Sequence, residues 1–308
     1  MKMSLIVAIE PNPFESKQQS FLDALLAQTM EPERFEFIMV DSAVLPGEAE
    51  RAEHFERFQR AHPQLRMQRL LGASGARSLR HNLGAAHAGG DLLVFLADDF
   101  EPVPHFLEAH ADFHELNPDP HAVAVGPGLF DDALRQQPFA RWVEDSGQIF
   151  GVPFRRCAGA WPRNYFYAGN ASIKRSKFES LGGFDERFAT DAWDDYEFGL
   201  RFAASGGYSQ VVTEAIGIHR HAVSYEERCQ TMEQAGEAAR VLEAAHPEVS
   251  RDWPWLKPPS EIVQEWSVDA DLLRLDAWQR GLNAAFRQGY ERAGADAMPD
   301  GLQQPSDR

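Results

Sequence analysis

The sequence predicts an α/β fold in which a mainly parallel sheet is flanked by helices, with a helical extension at the C-terminus. Strand-like and helix-like segments alternate through the first half of the 308 residues, a pattern typical of βαβ units. Most of the strand-like segments are continuously apolar, as expected for strands that are covered on both faces. We therefore expect a layered domain over residues 1–222 and a helical extension with a disordered tail over residues 223–308.

Apolar runs and apolar residues at helical spacing predict the elements in order. The predicted strands cover 4–9, 35–42, 65–71, 92–97, 121–126 and 209–219. The predicted helices cover 16–29, 46–61, 78–88, 105–116 and 224–248. Residues 130–167 are rich in aromatic residues and arginine and only weakly periodic, which is typical of loops that form a site. Four C-terminal tryptophans could stack on sugar rings, but they favour the core of a small helical subdomain: Trp253, Trp255, Trp266 and Trp278.

Composition excludes several classes of partner. The formal charge of −17 argues against nucleic acid, because phosphate backbones bind to basic surfaces. The apolar runs are far shorter than the roughly 20 residues that a membrane helix needs, so we expect no transmembrane segment. The two cysteines are too few for a disulfide framework, and no secretory signal is visible. These features predict a cytoplasmic protein.

Acidic residues stand directly after two of the apolar strands. Asp41 follows "FIMV", and Asp98 with Asp99 follows "LLVFLA". In open α/β sheets, ligands bind outside the carboxyl ends of the strands. The paired carboxylates could bind a divalent cation or lie in a solvated loop, and the strand pattern alone leaves both interpretations open.

A second acidic cluster lies in "TDAWDDYEFGLRF", residues 190–202. Helical spacing predicts that its inward face is formed by Trp193, Tyr196, Leu200 and Ala203. Asp191 and Asp194 match an N-cap and its capping partner, and Glu197 with Arg201 matches an ion pair on the surface. Asp195 is left without a structural role. The helix dipole favours its ionised form there, and an ionised carboxylate could accept a proton.

The remaining motifs predict little chemistry. His110 and His114 are four positions apart on one predicted helix, a spacing that can bind zinc. No third ligand lies nearby in sequence, so the favoured interpretation is an exposed polar face. The chain contains neither a glycine-rich nucleotide-binding fingerprint nor a Gly-x-Ser-x-Gly nucleophile motif.

Three segments, in their order and spacing, resemble the inverting family 2 glycosyltransferases of the GT-A fold: "FLADDFEP", "GNASIKRSKFESLGGFDERF" and "WDDYEFGLR". The segments "FIMVDS" and "RHNLGAAHAGGD" are supporting matches. The resemblance implies a Rossmann-like GT-A domain, with a nucleotide-sugar half over 1–128 and an acceptor half over 129–222. It also implies transfer of a sugar from a nucleotide-diphosphate sugar, which we expect to be a UDP-sugar, to a hydroxyl of a saccharide or other acceptor. The implied cofactor is Mn²⁺ or Mg²⁺.

The resemblance also implies roles for individual residues. Asp195 corresponds to the general base, and Asp41 to the acid that contacts the nucleotide base. The implied metal ligands are Asp99, Asp98 and His219, with His221 as the alternative to His219. The implied nucleotide-sugar site consists of Ala8, Glu10, Asp41, Arg77, Arg80 and Asp98. The candidates to line the acceptor pocket are Trp161, Tyr165, Tyr167 and Trp193.

The chain departs from the family pattern in three places. Ala97 stands where the family usually has an acid, and His81 stands where it usually has an arginine. The first strand ends in "IEPNP" rather than in the family's usual turn. Two other functions therefore stay open. A nucleotidyltransferase of related fold would need a basic loop after the first strand, where this chain has "IEPNP". A catalytically silent sugar-nucleotide or carbohydrate-binding module is favoured by Ala97.

Overall fold

The structure is a computed structural model that describes residues 1–9, 15–150, 166–189, 192–249 and 276–296. The chain divides into two compact units, Met1–Ala222 and Val223–Arg308. Several residues with a predicted role lie outside the described residues, as does the predicted disordered tail: Glu10, Trp161, Tyr165, Asp191, Trp253, Trp255 and Trp266.

The described strands of the first unit are β1 (Met3–Ala8), β2 (Phe35–Ser42), β3 (Met67–Gly72), β4 (Leu92–Leu96), β5 (Phe100–Pro102), β6 (Ala122–Val125), β7 (Gly128–Phe130), β8 (Asn170–Lys174), β9 (Tyr208–Val211) and β10 (Gly217–His219). Its described helices are α1 (Glu15–Leu26), α2 (Glu48–Ala61), α3 (Arg77–His87), α4 (Phe106–Leu116), α5 (Pro138–Asp145), α6 (Arg175–Ser180) and α7 (Asp194–Ala204). The alternation of strands and helices through the first half is confirmed.

The larger sheet has the strand order β3-β2-β1-β4-β8-β6-β9. Neighbouring strands from β3 to β4 are parallel, and so are β6 and β9, whereas β8 runs antiparallel to both of its neighbours. The predicted mainly parallel sheet is therefore confirmed. From β1 the chain builds outward to β3 and then returns to add β4 on the other side of β1. This reversal creates a switch point between β1 and β4, where such sheets bind ligands.

A small second sheet lies beyond the carboxyl end of β4. Its order is β5-β10-β7, with β10 antiparallel to β5 and parallel to β7. The prediction of one strand over 209–219 is wrong. The chain leaves the large sheet after Val211 and begins again in the small sheet at Gly217, so this apolar run is split between two sheets.

The core lies on both faces of the large sheet. On one face, Ile6 and Phe95 of the sheet belong to the same buried cluster as Ala85 of α3, Phe178 of α6 and Phe198 of α7. On the other face, the Phe37 ring lies 5.5 Å from the ring of Phe21 on α1 and 6.2 Å from that of Phe55 on α2. Coverage on both faces explains why these strands read as continuous apolar runs.

The described part of the second unit consists of α8 (Tyr225–Ala245) and α9 (Asp276–Asp296). Ser224 and Glu227 form a capping box at the start of α8. The two helices approach closely at Gly236, where a Cβ atom would lie only 2.0 Å from the Phe286 carbonyl oxygen. Within the described ranges, we find no helix with the length and apolar content needed to cross a bilayer.

Candidate active site

The turn after β4 lies at the carboxyl edge of the large sheet. The Ala97 N–H donates to the Gly169 carbonyl at 3.0 Å, and the Phe100 N–H donates to the Ala97 carbonyl at 3.2 Å. These two bonds fix a tight turn that carries Asp98 and Asp99, both of which are partly exposed. Their carboxylates therefore follow β4 directly, next to the switch point where an open α/β sheet binds its ligand.

Asp99 faces two histidines that come from β10 and the chain just beyond it. Its Oδ2 atom lies 3.1 Å from Nε2 of His219 and 3.9 Å from Nε2 of His221. The strand pairing explains this approach, because β10 sets His219 opposite Phe100, the residue after Asp99. The His-x-His spacing then directs both rings to the same side of an extended chain. We refer to Asp99, His219 and His221 as the Asp–His–His cluster.

The Asp–His–His cluster fits a divalent metal in both geometry and chemistry. One ligand atom from each of its residues lies within 4.8 Å of the other two. Adjacent ligands of an octahedral ion at 2.0–2.1 Å lie about 3 Å apart, so the cluster needs only a small contraction to close on an ion. Two imidazoles and a carboxylate are a common ligand set for first-row transition metals, whereas Mg²⁺ selects oxygen ligands.

Aromatic rings hold His219 in this orientation. The centroid of its ring lies 5.0 Å from that of Phe130, 5.6 Å from that of Phe150 and 5.9 Å from that of Phe100, all in edge-on arrangements. Its Nδ1 atom is buried and has no hydrogen-bond partner among the described residues, while Nε2 points towards Asp99. The apolar wall thus leaves Nε2 as the ring nitrogen available to a metal. Asp98 is outside the cluster, and its role as a ligand stays a prediction.

Asp195 lies in the first turn of α7, close to the same sheet edge. Its Oδ2 atom accepts the Ala168 N–H at 3.3 Å, and its Oδ1 atom accepts the Tyr196 N–H at 2.8 Å. Because Ala168 precedes Gly169, whose carbonyl binds the turn after β4, one short segment connects Asp195 to the turn that carries Asp99. Burial, reinforced by the charge of Asp194, raises the pKa of Asp195 to about 6.

Asp194 forms an ion pair rather than a helix cap. Helix α7 begins at Asp194 itself, and the N-cap residue Trp193 makes no capping bond through its side chain, so the predicted capping role of Asp194 is wrong. The Arg77 guanidinium donates through Nη2 to Asp194 Oδ1 at 2.5 Å and through Nε to Oδ2 at 3.3 Å. Asp194 is fully buried, and Arg77 is about a quarter exposed.

The predicted inward face of α7 is also wrong. The residues that the structure buries are Asp194, Glu197, Phe198, Gly199 and Phe202, whereas the four predicted ones are only partly buried. The predicted Glu197–Arg201 ion pair is present, with Arg201 Nε 2.7 Å from Glu197 Oε1, but Glu197 is buried rather than on the surface. Arg201 also donates to the carbonyls of Leu181 and Gly183. Because Asp194 and Glu197 are buried with arginine partners, the buried face of α7 differs from the face that the spacing of apolar residues predicts.

Asp41 at the end of β2 is fully buried between two arginines. Its Oδ1 atom accepts the Arg51 Nε–H at 2.9 Å, and its Oδ2 atom accepts the Arg69 Nη2–H at 2.8 Å. The backbone N–H of Ser42 donates to Oδ1 at 2.7 Å. Neither arginine was singled out from the sequence, because each lies at least ten positions from Asp41. Contact of Asp41 with a nucleotide base stays a prediction, and Arg69 is the more exposed member of this group.

Arg80 connects the chain just after β1 to the loop between β3 and α3. Its guanidinium is buried and donates to the carbonyl of Ile9, just after β1 and Ala8, and to that of Gly75 at 2.8 Å. Its neighbour His81 is buried too, and burial together with the charges of Arg77 and Arg80 holds the pKa of His81 well below its usual range. His81 is therefore a neutral core residue, and nucleotide contact by Ala8 or Arg80 stays a prediction.

The expectation that His110 and His114 form an exposed polar face is wrong. Both are buried against β8, where His110 Nδ1 lies 2.8 Å from the Ser172 hydroxyl and His110 Nε2 lies 3.1 Å from Asn170 Oδ1. Asn170 in turn donates to the carbonyl of Ala215, at 2.8 Å, in the segment that leads into β10. Burial lowers the pKa of His110 to about 4 and that of His114 to about 3.

Comparison with known proteins identifies the family. The model described as "Glycosyl transferase family 2" matches residues 18–182, which is more than half of the chain. The chain belongs to glycosyl transferase family 2. The match includes the predicted nucleotide and metal residues from Asp41 to Asp99. Asp195 and the two histidines of the cluster lie beyond it, so their roles depend on the geometry described above.

Individual curated relatives are similar to this chain at 27–31% identity. The chain is 31% identical over 223 residues to the O-antigen biosynthesis protein RfbC of Myxococcus xanthus, covering 67% of this chain and 16% of the relative. It is 27% identical over 218 residues to the validoxylamine A glucosyltransferase of Streptomyces hygroscopicus subsp. limoneus, covering 64% of this chain and 47% of the relative. The chain thus spans less than two thirds of the length of these curated relatives.

Solved structures confirm the fold. The mannosyltransferase PcManGT from Pyrobaculum calidifontis, in complex with GDP-Man and Mn²⁺, matches 97% of this chain and 76% of its own, with a TM-score of 0.57 and 19% identity. At this identity the likeness establishes the architecture alone, and that architecture is the GT-A fold that the sequence predicts.

Proposed function

We propose that this family 2 protein is a metal-dependent inverting glycosyltransferase that moves a sugar from a nucleotide-diphosphate sugar to an acceptor hydroxyl. The observation that carries the proposal is the arrangement of the Asp–His–His cluster and Asp195 at one sheet edge. Segment 168–169 connects them, because the Ala168 N–H binds Asp195 and the Gly169 carbonyl binds the turn that carries Asp99. A metal centre and a proton acceptor are the two parts that this reaction needs.

The charge of the donor explains why a cation is required. A diphosphate is anionic, and the site already holds the carboxylates of Asp98 and Asp99, so direct contact between them is repulsive. Asp99, His219 and His221 would hold the ion. When bound, a divalent cation supplies positive charge to the departing nucleoside diphosphate. Because imidazole is a ligand for transition ions rather than for Mg²⁺, we expect Mn²⁺ to be the more effective cofactor.

Asp195 is the proposed general base. As the acceptor oxygen forms its bond to the anomeric carbon, Asp195 takes the hydroxyl proton. The bond from that carbon to the diphosphate oxygen breaks, and its electron pair leaves with the nucleoside diphosphate. Attack from the face opposite the leaving group inverts the anomeric configuration. A pKa of about 6 suits this role, because the carboxylate is mostly ionised at pH 7 and still basic enough to accept a proton.

The donor is proposed to be a UDP-sugar, as the resemblance of the sequence implies. The fold neighbour with bound GDP-Man makes guanosine the natural competitor. Both belong in the first assay. Cytoplasmic action remains a prediction from the low cysteine content.

The test is a panel of UDP- and GDP-sugars incubated with the full chain and Mn²⁺, Mg²⁺ or EDTA, with release of nucleoside diphosphate as the readout. We expect release with at least one donor in Mn²⁺, a lower rate in Mg²⁺ and none in EDTA. Asp99→Asn should abolish the Mn²⁺ effect. His121→Ala is the matched control, because His121 is an exposed histidine at the amino end of β6, on the opposite sheet edge.

Three other outcomes of this assay would each contradict a different part of the proposal. Binding of a sugar nucleotide without release or transfer supports a catalytically silent binding module. Formation of a sugar nucleotide from a nucleoside triphosphate and a sugar phosphate identifies a nucleotidyltransferase. Full activity in EDTA contradicts the metal site itself.

A further inference from the structure

The Arg77–Asp194 ion pair joins the first residues of two helices that are 117 positions apart in the chain. Arg77 opens α3, which lies between β3 and β4 in the chain, and Asp194 opens α7. The guanidinium contacts both carboxylate oxygens, a geometry that fixes orientation as well as distance. Because Asp194 is fully buried, the pair anchors the first turn of α7 at one defined point.

This anchor lies directly beside Asp195. Asp195 is the next residue in the chain, and its remaining contacts are the N–H groups of Ala168 and Tyr196. Within the described residues, the charged groups that act on it are Asp194 from its own helix and Arg77 from α3. The other carboxylate of the first turn, Glu197, is paired with Arg201. The ion pair thus sets both the position and the electrostatic surroundings of the Asp195 carboxylate.

We propose that Arg77, through its ion pair with Asp194, is a positioning residue that orients Asp195 for proton transfer. This inference rests on the proposed role of Asp195 as general base. It gives Arg77 a main task other than direct nucleotide contact, because its Nε–H and its Nη2–H both donate to Asp194.

The two members of the pair act on Asp195 with opposite signs. The positive charge of Arg77 lowers the pKa of Asp195, and the negative charge of Asp194 raises it. Removing one charge at a time therefore predicts two opposite changes in the pH dependence of the reaction. A purely structural anchor predicts no such opposition, since loss of either partner breaks the same contact.

The experiment measures kcat against pH, from 5 to 9, in the full chain with Mn²⁺ and saturating donor and acceptor. We expect the acidic limb to move to higher pH in Arg77→Gln and to lower pH in Asp194→Asn, each by about one unit. Arg77→Lys keeps the positive charge but loses the two-point contact with Asp194. The acidic limb of its pH profile should therefore stay near that of the wild type, while kcat falls. The matched control is Glu197→Gln, which removes a buried ion pair from the same helix and should leave the limb in place.

Affinity for the donor separates the alternatives. If Arg77→Gln weakens donor binding tenfold or more while the limb does not move, Arg77 is a nucleotide ligand and the inference is overturned. Shifts in the same direction for Arg77→Gln and Asp194→Asn overturn it as well. Where one of these variants fails to fold, as judged by thermal melting, Arg77→Lys still decides through its limb and donor affinity. Retained activity in Asp195→Asn contradicts the base assignment instead and so identifies a failure of the proposed function.

Discussion

Asp195→Asn is expected to make the protein more stable and far less active. Its pKa of about 6 in the folded state compares with 3.8 for an ordinary aspartate. A raised pKa means that the folded state favours the protonated form of Asp195. The stability that this preference provides is fully present below pH 3.8 and is lost as the pH rises through 6. The difference of about two units corresponds to about 3 kcal/mol at pH 8, and screening by solvent at a partly exposed carboxylate reduces this to roughly 1–3 kcal/mol.

Denaturant unfolding of Asp195→Asn and the wild type at pH 4 and pH 8 measures this effect. The variant should gain 1–3 kcal/mol at pH 8 and little at pH 4, because asparagine carries no charge to desolvate. Asp194→Asn is the contrasting neighbour: it leaves Arg77 without its buried partner and should lose about 3–5 kcal/mol. In the transfer assay, Asp195→Asn should be slower by about 10²–10⁴-fold with donor affinity unchanged.

Two results refute this reasoning. A loss of stability at pH 8 in Asp195→Asn means that the carboxylate is held by favourable contacts rather than strained by burial. A turnover number near that of the wild type, measured with saturating acceptor, means that Asp195 is not the base.

Three further predictions concern the metal site and its supports. His219→Ala and His221→Ala should each weaken Mn²⁺ binding at least tenfold by calorimetry, and unchanged affinity in both removes the histidines from the site. Burial lowers the pKa of His110 to about 4, so the wild type loses about 3 kcal/mol of folding stability as the pH falls from 6.5 to 4. In His110→Asn, denaturant unfolding should show a flatter dependence of stability on pH over this range. Gly126→Ala sets a Cβ atom 2.0 Å from the carbonyl oxygen of Ala215, next to the segment that leads into β10. It should lower the free energy of unfolding by about 1–3 kcal/mol and should also weaken Mn²⁺ binding. An unchanged melting temperature contradicts this prediction.

The layered fold could be predicted because its signals are local. β1, β2 and β4 are buried on both faces, so most of their residues are apolar, and the helices between them have apolar residues at helical spacing. The bounds of α2, predicted from residue 46 and observed from Glu48, differ only at the helix terminus. The split between β9 and β10 was missed because both halves resemble strands in sequence and the change from one sheet to the other depends on tertiary structure.

The errors at α7 have a different physical origin. Helical spacing assigns aromatic and aliphatic residues to the core, but Asp194 and Glu197 are buried because arginines neutralise them. Arg77 comes from a helix 117 positions earlier, and no local pattern contains that information. His110 was misjudged for the same reason, because its partner Ser172 lies 62 positions away.

The metal centre was found in part. The acidic turn after β4 is a local signal, and the resemblance to the family pointed to His219. That His221 stands beside it depends on the pairing of β10 with β5, which sets the His-x-His segment against Asp99.

Anomalous diffraction at the manganese edge, from crystals soaked with MnCl₂ and UDP, tests whether sugar transfer takes place around a metal held by the Asp–His–His cluster. We expect one strong peak about 2.0–2.3 Å from Asp99 Oδ2, His219 Nε2 and His221 Nε2, with the diphosphate completing the coordination. A peak on other residues, or ordered diphosphate in the crevice without manganese, would contradict it.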